Sequence, residues 1–241
     1  MVELSVNIDK LALLRNSRGF DYPSLVSFVE SLLRLGIRSI TMHPRRDFRH
    51  ILLSDIDLLR NVFGKQIIIN VETDIDQNVI DAVVRSDVDR ILFVPCREQE
   101  RTTERGFSKN GIGSMYRAIV EYMKSFSSCE MGFFVDFCYE TIDIVSDLNV
   151  DYVEFNTTEY SELSEGKRYS YIRESMKPFV DYTKGKSVKV HLGHGLNTSN
   201  LSDLIKDLNP REVSVGHALF VESIFAGMNS VISTYKNIIN N

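Results

Sequence analysis

Short apolar-rich runs alternate with stretches of helical periodicity along the whole chain. The runs Glu3–Ile8, Ser39–His43, Gln66–Val71, Arg90–Val94, Gly132–Val135, Tyr152–Phe155, Ser187–His191 and Glu212–Val215 read as strands. Between them the helices carry their own signals. Pro23 suits a first helical turn before Leu25, Phe28, Val29, Leu32 and Leu33, with Gly36 as the C-terminal cap. Ser54 reads as the N-cap of a helix through Ile56, Leu59, Val62 and Phe63 that stops at Gly64. Asp74 and Gln77 have capping-box spacing. A final stripe, Phe220, Ile224, Met228, Val231, Tyr235 and Ile238, predicts one long helix.

Strict alternation of strand and helix implies a parallel sheet, open or closed. The strand faces favour closure. One face reads Leu4, Val6, Ile8, then Ile40, Met42, then Ile67, Ile69, Val71, then Val153, Phe155, then Val213, Val215. The other reads Ser5, Asn7, Asp9, then Thr41, His43, then Asn70, Glu72, then Glu154, Asn156, then Ser214, Gly216. An open doubly wound sheet is covered by helices on both faces and needs both apolar. The polar face suits the inside of a barrel that becomes polar toward its C-terminal mouth. The predicted fold is α/β, a (β/α)8 TIM barrel with a few extra helices, with an open Rossmann-like sheet as the alternative. A chain of 241 residues without a linker or composition shift suits one catalytic domain over positions 1–241.

Composition narrows the function. A net charge of −5 gives no support for nucleic-acid binding, and the basic run Arg45–His50 is local. No run of about 18 apolar residues exists for a membrane span. The N-terminus lacks a signal peptide's basic and apolar regions, and three cysteines, Cys96, Cys129 and Cys138, cannot all pair. These features predict a cytoplasmic protein.

Candidate chemistry gathers where barrel enzymes place it, at the C-terminal strand ends. Asn7 and Asp9 follow the first strand, His43 and Arg45 the second, Glu72 the third, Asp136 the fifth and Glu154 the sixth. His194 and Gly195 follow the seventh, Gly216 and His217 the eighth. All five histidines, His43, His50, His191, His194 and His217, are expected at this rim. Histidine and a partly buried glutamate exchange protons near neutral pH. The glycine turns before the last two helices suit phosphate, because glycine admits an anion to backbone N–H groups at a helix N-terminus. Arg15, Arg18 and Arg45 are candidates for a second phosphate. His191 and His194 do not make a zinc pair, since an offset of three on a strand turns the rings to opposite faces. No metal is expected.

In order along the chain, VNIDKLALLRNSRG (6–19), ITMHPRRDFRHI (40–51), INVE (69–72), FVPCREQERTTERG (93–106), GHGL (193–196) and VGHA (215–218) resemble the motifs of the pyridoxine 5′-phosphate synthase family almost end to end. That resemblance implies a barrel often assembled as a homo-octamer. It implies condensation of 3-amino-2-oxopropyl phosphate with 1-deoxy-D-xylulose 5-phosphate to pyridoxine 5′-phosphate, with inorganic phosphate and water released and no cofactor. By resemblance His43 is a proton acceptor, Glu72 a second acid/base and His194 a proton donor. Asn7, Arg18, Gly195, Gly216 and His217 would hold the amino-ketone phosphate. Asp9, Arg45, His50 and Thr102 would hold the sugar phosphate, with Lys10 a further substrate-binding candidate that can donate to an oxygen, and the loop carrying Thr102 would close over the site. Four positions depart from the pattern. Lys10 stands where histidine is usual, Glu104-Arg105-Gly106 where two glycines are, Asn156 where histidine is common, and Val221-Glu222 where a small residue and arginine are. Two rivals remain open: an aldolase- or isomerase-type phosphosugar barrel with Lys189 as its Schiff-base residue, and a decayed, non-catalytic phosphate-binding barrel.

Overall fold

The computed structural model describes residues 2–95, 103 and 105–240. It runs β1 (Glu3–Asn7), α1 (Asp9–Asn16), α2 (Leu25–Arg34), β2 (Ser39–Met42), α3 (Leu53–Phe63), β3 (Ile68–Thr73), α4 (Gln77–Arg85), β4 (Arg90–Phe93), α5 (Ser114–Phe126) and β5 (Glu130–Val135). It continues α6 (Tyr139–Asp147), β6 (Tyr152–Asn156), α7 (Thr158–Glu162), α8 (Glu165–Tyr171), α9 (Lys177–Gly185), β7 (Lys189–Gly193), α10 (Leu201–Leu208), β8 (Glu212–Val215), α11 (His217–Ala226) and α12 (Met228–Asn240). Every strand pairs in parallel with its chain neighbours, and β8 returns to β1, closing the barrel. Among the described residues no helix is long and apolar enough to cross a membrane.

The two strand faces divide as their chemistry requires. Val6, Ile40, Met42, Ile69, Val71, Ile91, Phe93, Phe133, Val153, Phe155 and Val213 are buried outward, in one apolar cluster with Val29, Leu32, Leu59, Val83 and Leu204 of the helices. Burial of each such side chain contributes about 1.5–3 kcal/mol, so this layer drives folding. Contacts between strands that are not neighbours identify the inner face. Tyr152 of β6 donates to Asn70 of β3 at 3.2 Å, and Arg90 of β4 bonds to Glu212 of β8. Gly132 makes room for the Tyr152 ring, since a Cβ there would stand 2.3 Å from it. The inner apolar cluster is small: Leu92, Val94, Phe134 and Tyr152.

The interior is polar at both ends, which corrects the expectation of polarity only toward the mouth. At the N-terminal end Arg90 is 2% exposed and meets Glu3 at 3.0 Å and Glu130 at 3.1 Å besides Glu212. Ser39 donates to Glu212 at 2.8 Å. A buried guanidinium is tolerable only when its donors are used, and here three carboxylates share them. His191 also lies inside, stacked on Tyr152 with ring centroids 4.3 Å apart, and does not reach the rim.

Several boundaries differ from the sequence reading. Pro23 precedes α2, whose N-cap is Ser24, with its side chain accepting from Ser27 N–H. Ser54 lies within α3, and the free Leu52 N–H is taken by Asp55 Oδ2 at 2.8 Å. Asp76, not Asp74, caps α4. The last stripe is two helices, because Gly227 at φ 79° breaks it and leaves Ile224 and Phe225 on the surface.

Arg15 was a phosphate candidate, but it is buried in a bidentate pair with Asp55 at 2.7 and 2.8 Å. Removing one partner of a buried pair strands the other's charge. Asp55→Ala should therefore lower the unfolding free energy by about 3 kcal/mol. Urea denaturation checks this, and a loss below about 1 kcal/mol would show that the pair is dispensable.

Candidate active site

A cavity of about 560 Å³ opens at the C-terminal ends of the strands. Four of the five histidines, His43, His50, His194 and His217, line it, together with Asn7, Asp9, Lys10, Arg45, Glu72, Glu154, Gly195 and Gly216. Arg18 is exposed in the turn after α1 and is not among the lining residues. Thr102 and Cys96 lie outside the described residues, while Thr103 lines the cavity.

The proton-handling groups sit on one wall. His43 Nδ1 is 3.4 Å from Glu72 Oε2, close enough for electrostatic pairing and long for a hydrogen bond. Asp9 Oδ1 accepts from the backbone N–H of His43 at 2.9 Å, tying α1 to the end of β2. Burial first, then the nearby Glu72 carboxylate, pushes the Asp9 carboxyl up to about 6.

Glu154 is the residue whose role the sequence did not reveal. It is 3% exposed, its Oε2 has no hydrogen-bond partner, and burial raises its pKa well above the usual carboxylate range, with Glu72 and Glu212 adding to the effect. Burial of this kind favours the protonated form of a carboxyl. Gly193 is what admits it, because a Cβ there would stand 2.0 Å from Glu154 Oε1. Glu154 pairs with His191 in the sheet and Gly193 with Asn156, so the contact between Glu154 and Gly193 is legible only once β6 and β7 are in register.

The turn after β7 is constrained from below. Thr157 Oγ1 donates to the carbonyls of Gly193 and His194 at 2.9 and 2.5 Å, and Asn200 Nδ2 donates to Gly195 O at 3.0 Å. His194 takes φ 80° and Gly195 φ 74°. A non-glycine residue in this region costs about 1 kcal/mol or more, so the clamp holds His194 where relaxed backbone would not. A side chain at Gly195 would also collide with Ser161 Oγ at 2.2 Å. On the neighbouring strand end Gly216 precedes α11, whose first N–H groups are unused by the helix. Helix N-termini and glycine turns of this kind hold phosphate.

The departing residues have assignable places. Glu222 is absent from the cavity lining, and its Oε1 accepts from Thr198 N at 3.2 Å and Thr198 Oγ1 at 2.9 Å. Asn156 accepts from Thr158 N at 3.1 Å, capping α7, and donates to Asp136 at 3.0 Å. Lys10 lines the cavity as an exposed cation. Lys189 sits at the N-terminal start of β7, paired with Glu130, and is absent from the cavity lining. The Schiff-base reading therefore loses its lysine.

A closed barrel with acid/base side chains and glycine turns at its C-terminal mouth has the architecture of a TIM-barrel enzyme. Solved structures agree on the fold. The 3-keto-L-gulonate-6-phosphate decarboxylase of Vibrio cholerae superposes with a TM-score of 0.66 at 11% identity, covering 99% of this chain and 97% of that one. The phosphoribosyl anthranilate isomerase of Thermotoga maritima gives 0.63 at 12%, covering 100% and 99%.

Sequence comparison is more specific. The model of the family described as pyridoxal phosphate biosynthesis protein PdxJ matches residues 4–241. The pyridoxine 5′-phosphate synthase of Pelagibacter ubique is 30% identical over 241 residues, covering 100% of both chains. That of Aquifex aeolicus is 29% identical over 245 residues, covering 99% of each. The chain belongs to the PdxJ family and is an enzyme of vitamin B6 biosynthesis.

Asp9 supplies a pH test. Its folded pKa, about 6, lies above its ordinary 3.8, so the folded state binds the extra proton between these values. The stability it contributes is full below the ordinary value and is lost as pH rises through about 6. Asp9→Asn should flatten the fall in stability between about pH 4 and 7. Denaturation midpoints across that window measure it, and an unchanged slope would remove Asp9 as the cause.

Proposed function

We propose that this chain is a pyridoxine 5′-phosphate synthase, condensing 3-amino-2-oxopropyl phosphate with 1-deoxy-D-xylulose 5-phosphate and releasing inorganic phosphate and water. The observation that carries the reading is that His43, Glu72 and His194, far apart in the chain, line one cavity together with the glycine turns at Gly195 and Gly216 and the cations Lys10 and Arg45. Both substrates are phosphate monoesters, and the mouth has two differently built places for them. Backbone N–H groups at Gly195, Gly216 and His217 serve one, with Asn7 beside them. Lys10, Arg45 and His50 supply side-chain donors for the other.

The chemistry follows from the protonation states. Condensing an amine with a ketone expels water, which leaves readily only after it is protonated. Glu154, whose burial favours its protonated form, and His194 are the donors, on β6 and after β7. Closing the ring requires a proton to be taken from carbon beside a carbonyl or imine. His43 takes it, and Glu72 stabilises the imidazolium that forms. The protein's own groups therefore supply an acid and a base at the same time, without a cofactor. Thr102, with the loop around it, completes the sugar-phosphate side by family resemblance. The family also implies that copies of this chain assemble, as a homo-octamer in the cytoplasm, each with a single catalytic domain.

Glu72→Gln removes the charge that stabilises the His43 imidazolium, and His194→Asn removes a proton donor, each with size and polarity kept. Each should reduce turnover by about 10²-fold or more with an unchanged melting temperature. Phosphate release and calorimetry measure the two quantities, and turnover near the wild-type value in either variant removes that residue from the mechanism.

A further inference from the structure

The cationic side of the mouth contains a residue that the reaction has not used. Arg49 is half-buried, and its Nε donates to His50 Nε2 at 3.1 Å. An Nε2 that accepts a hydrogen bond carries no proton, so a neutral His50 must carry its proton on Nδ1. His50 is 7% exposed and lines the cavity, and its Nδ1 is buried without a partner. The pair is held from behind. Asn16 Nδ2 donates to the carbonyls of Arg49 and His50 at 3.2 and 2.5 Å, and Asn16 Oδ1 accepts from Arg15 Nε at 2.9 Å. Arg15 in turn is fixed on Asp55. The buried ion pair that looked like a phosphate site in sequence thus forms the base on which Arg49 and His50 are mounted.

We propose that Arg49 is a positioning residue: it locks His50 as the neutral tautomer whose Nδ1–H is kept for an oxygen of the phosphorylated sugar. The charged groups facing His50 are Lys10 from α1 and Arg45, Asp47 and Arg49 from its own loop, while Asp55 of α3 is spent on Arg15. Burial first, then Arg49, Lys10 and Arg45, lower the His50 pKa to about 4. Charge for the substrate then comes from Lys10 and Arg45, and His50 contributes direction. A locked donor binds oxygen without first having to choose a tautomer, which saves affinity that a free imidazole loses.

The identity of the ligand rests on the proposed reaction; the tautomer does not. The test uses protein labelled with ¹⁵N in its histidines, with His50 assigned by comparison with His50→Gln. In the wild type, two-bond ring correlations should show His50 neutral, with its proton on Nδ1, from about pH 5.5 to 8. Arg49→Gln removes a positive neighbour, so the His50 pKa should rise above its wild-type value while burial, Lys10 and Arg45 still hold it down. Arg49→Lys retains the charge without the directed Nε–H, so His50 should stay neutral while both tautomers appear. Calorimetric titration with 1-deoxy-D-xylulose 5-phosphate at about pH 8, where His50 is neutral in every variant, should show binding in Arg49→Lys weaker by the inverse of the fraction of His50 left with its proton on Nδ1, about twofold for equal tautomers. A wild-type His50 protonated on Nε2, an Arg49→Lys spectrum with the tautomer unchanged, or unchanged sugar-phosphate affinity in Arg49→Lys would each overturn the proposal. The spectrum requires no turnover. A wild-type protein that bound the sugar phosphate but made no pyridoxine 5′-phosphate would count against the reaction alone, and Arg49 would still be judged by spectrum and titration.

Discussion

A parallel sheet closed on itself has an inner face that no helix covers, and the rest of this molecule depends on how that face is filled. Here the filling is mostly polar. Arg90 gathers Glu3, Glu130 and Glu212 at one end, Ser5, Thr41, Asn70 and Tyr152 bond to one another across the middle, and Glu72 and Glu154 stand at the other end. Charges removed from water are costly unless paired, and the N-terminal end is paired. The C-terminal end is deliberately less so, and the difference between the ends is the difference between scaffold and site.

At the mouth, crowded carboxylates make acid and base coexist. Asp9, Glu72 and Glu154 line one cavity from different βα units, and like charges in a confined space cannot all ionise freely. Burial of Glu154 against Gly193 favours its protonated form, while Glu72 lies beside the His43 ring. Asp9 lies between these extremes and uses its oxygens to hold the backbone of His43. The same cavity therefore positions a base and supplies an acid. Two phosphate places lie at its rim, one made of backbone N–H groups and one of side-chain cations.

Much of this was legible in the chain because strand alternation and barrel geometry share a period of two. The outward residues, from Val6 to Val213, identified the strands, and the polar partners at their C-terminal ends identified His43, Glu72 and His194 as rim residues. Where the reading failed, a non-local contact decided the outcome. The seventh strand runs on to Gly193 because Asn156 pairs with it, so His191 falls inside the barrel and not at its edge. Arg15 has the chemistry of a phosphate ligand, but Asp55, forty positions away, claims it. Glu154 was visible as a strand-end carboxylate, yet its protonated state depends on the depth at which Gly193 lets it sit. The final apolar stripe suggested a continuous helix because periodicity does not register the single backbone reversal at Gly227.

The central claim is that these side chains, without a cofactor, close the pyridoxine ring. The most direct test is to incubate the purified wild-type protein with 3-amino-2-oxopropyl phosphate and 1-deoxy-D-xylulose 5-phosphate and analyse the product by absorbance and mass. The account predicts pyridoxine 5′-phosphate with an equimolar yield of inorganic phosphate, and neither product when one substrate is omitted. A folded protein that binds both compounds and leaves them unchanged would contradict it.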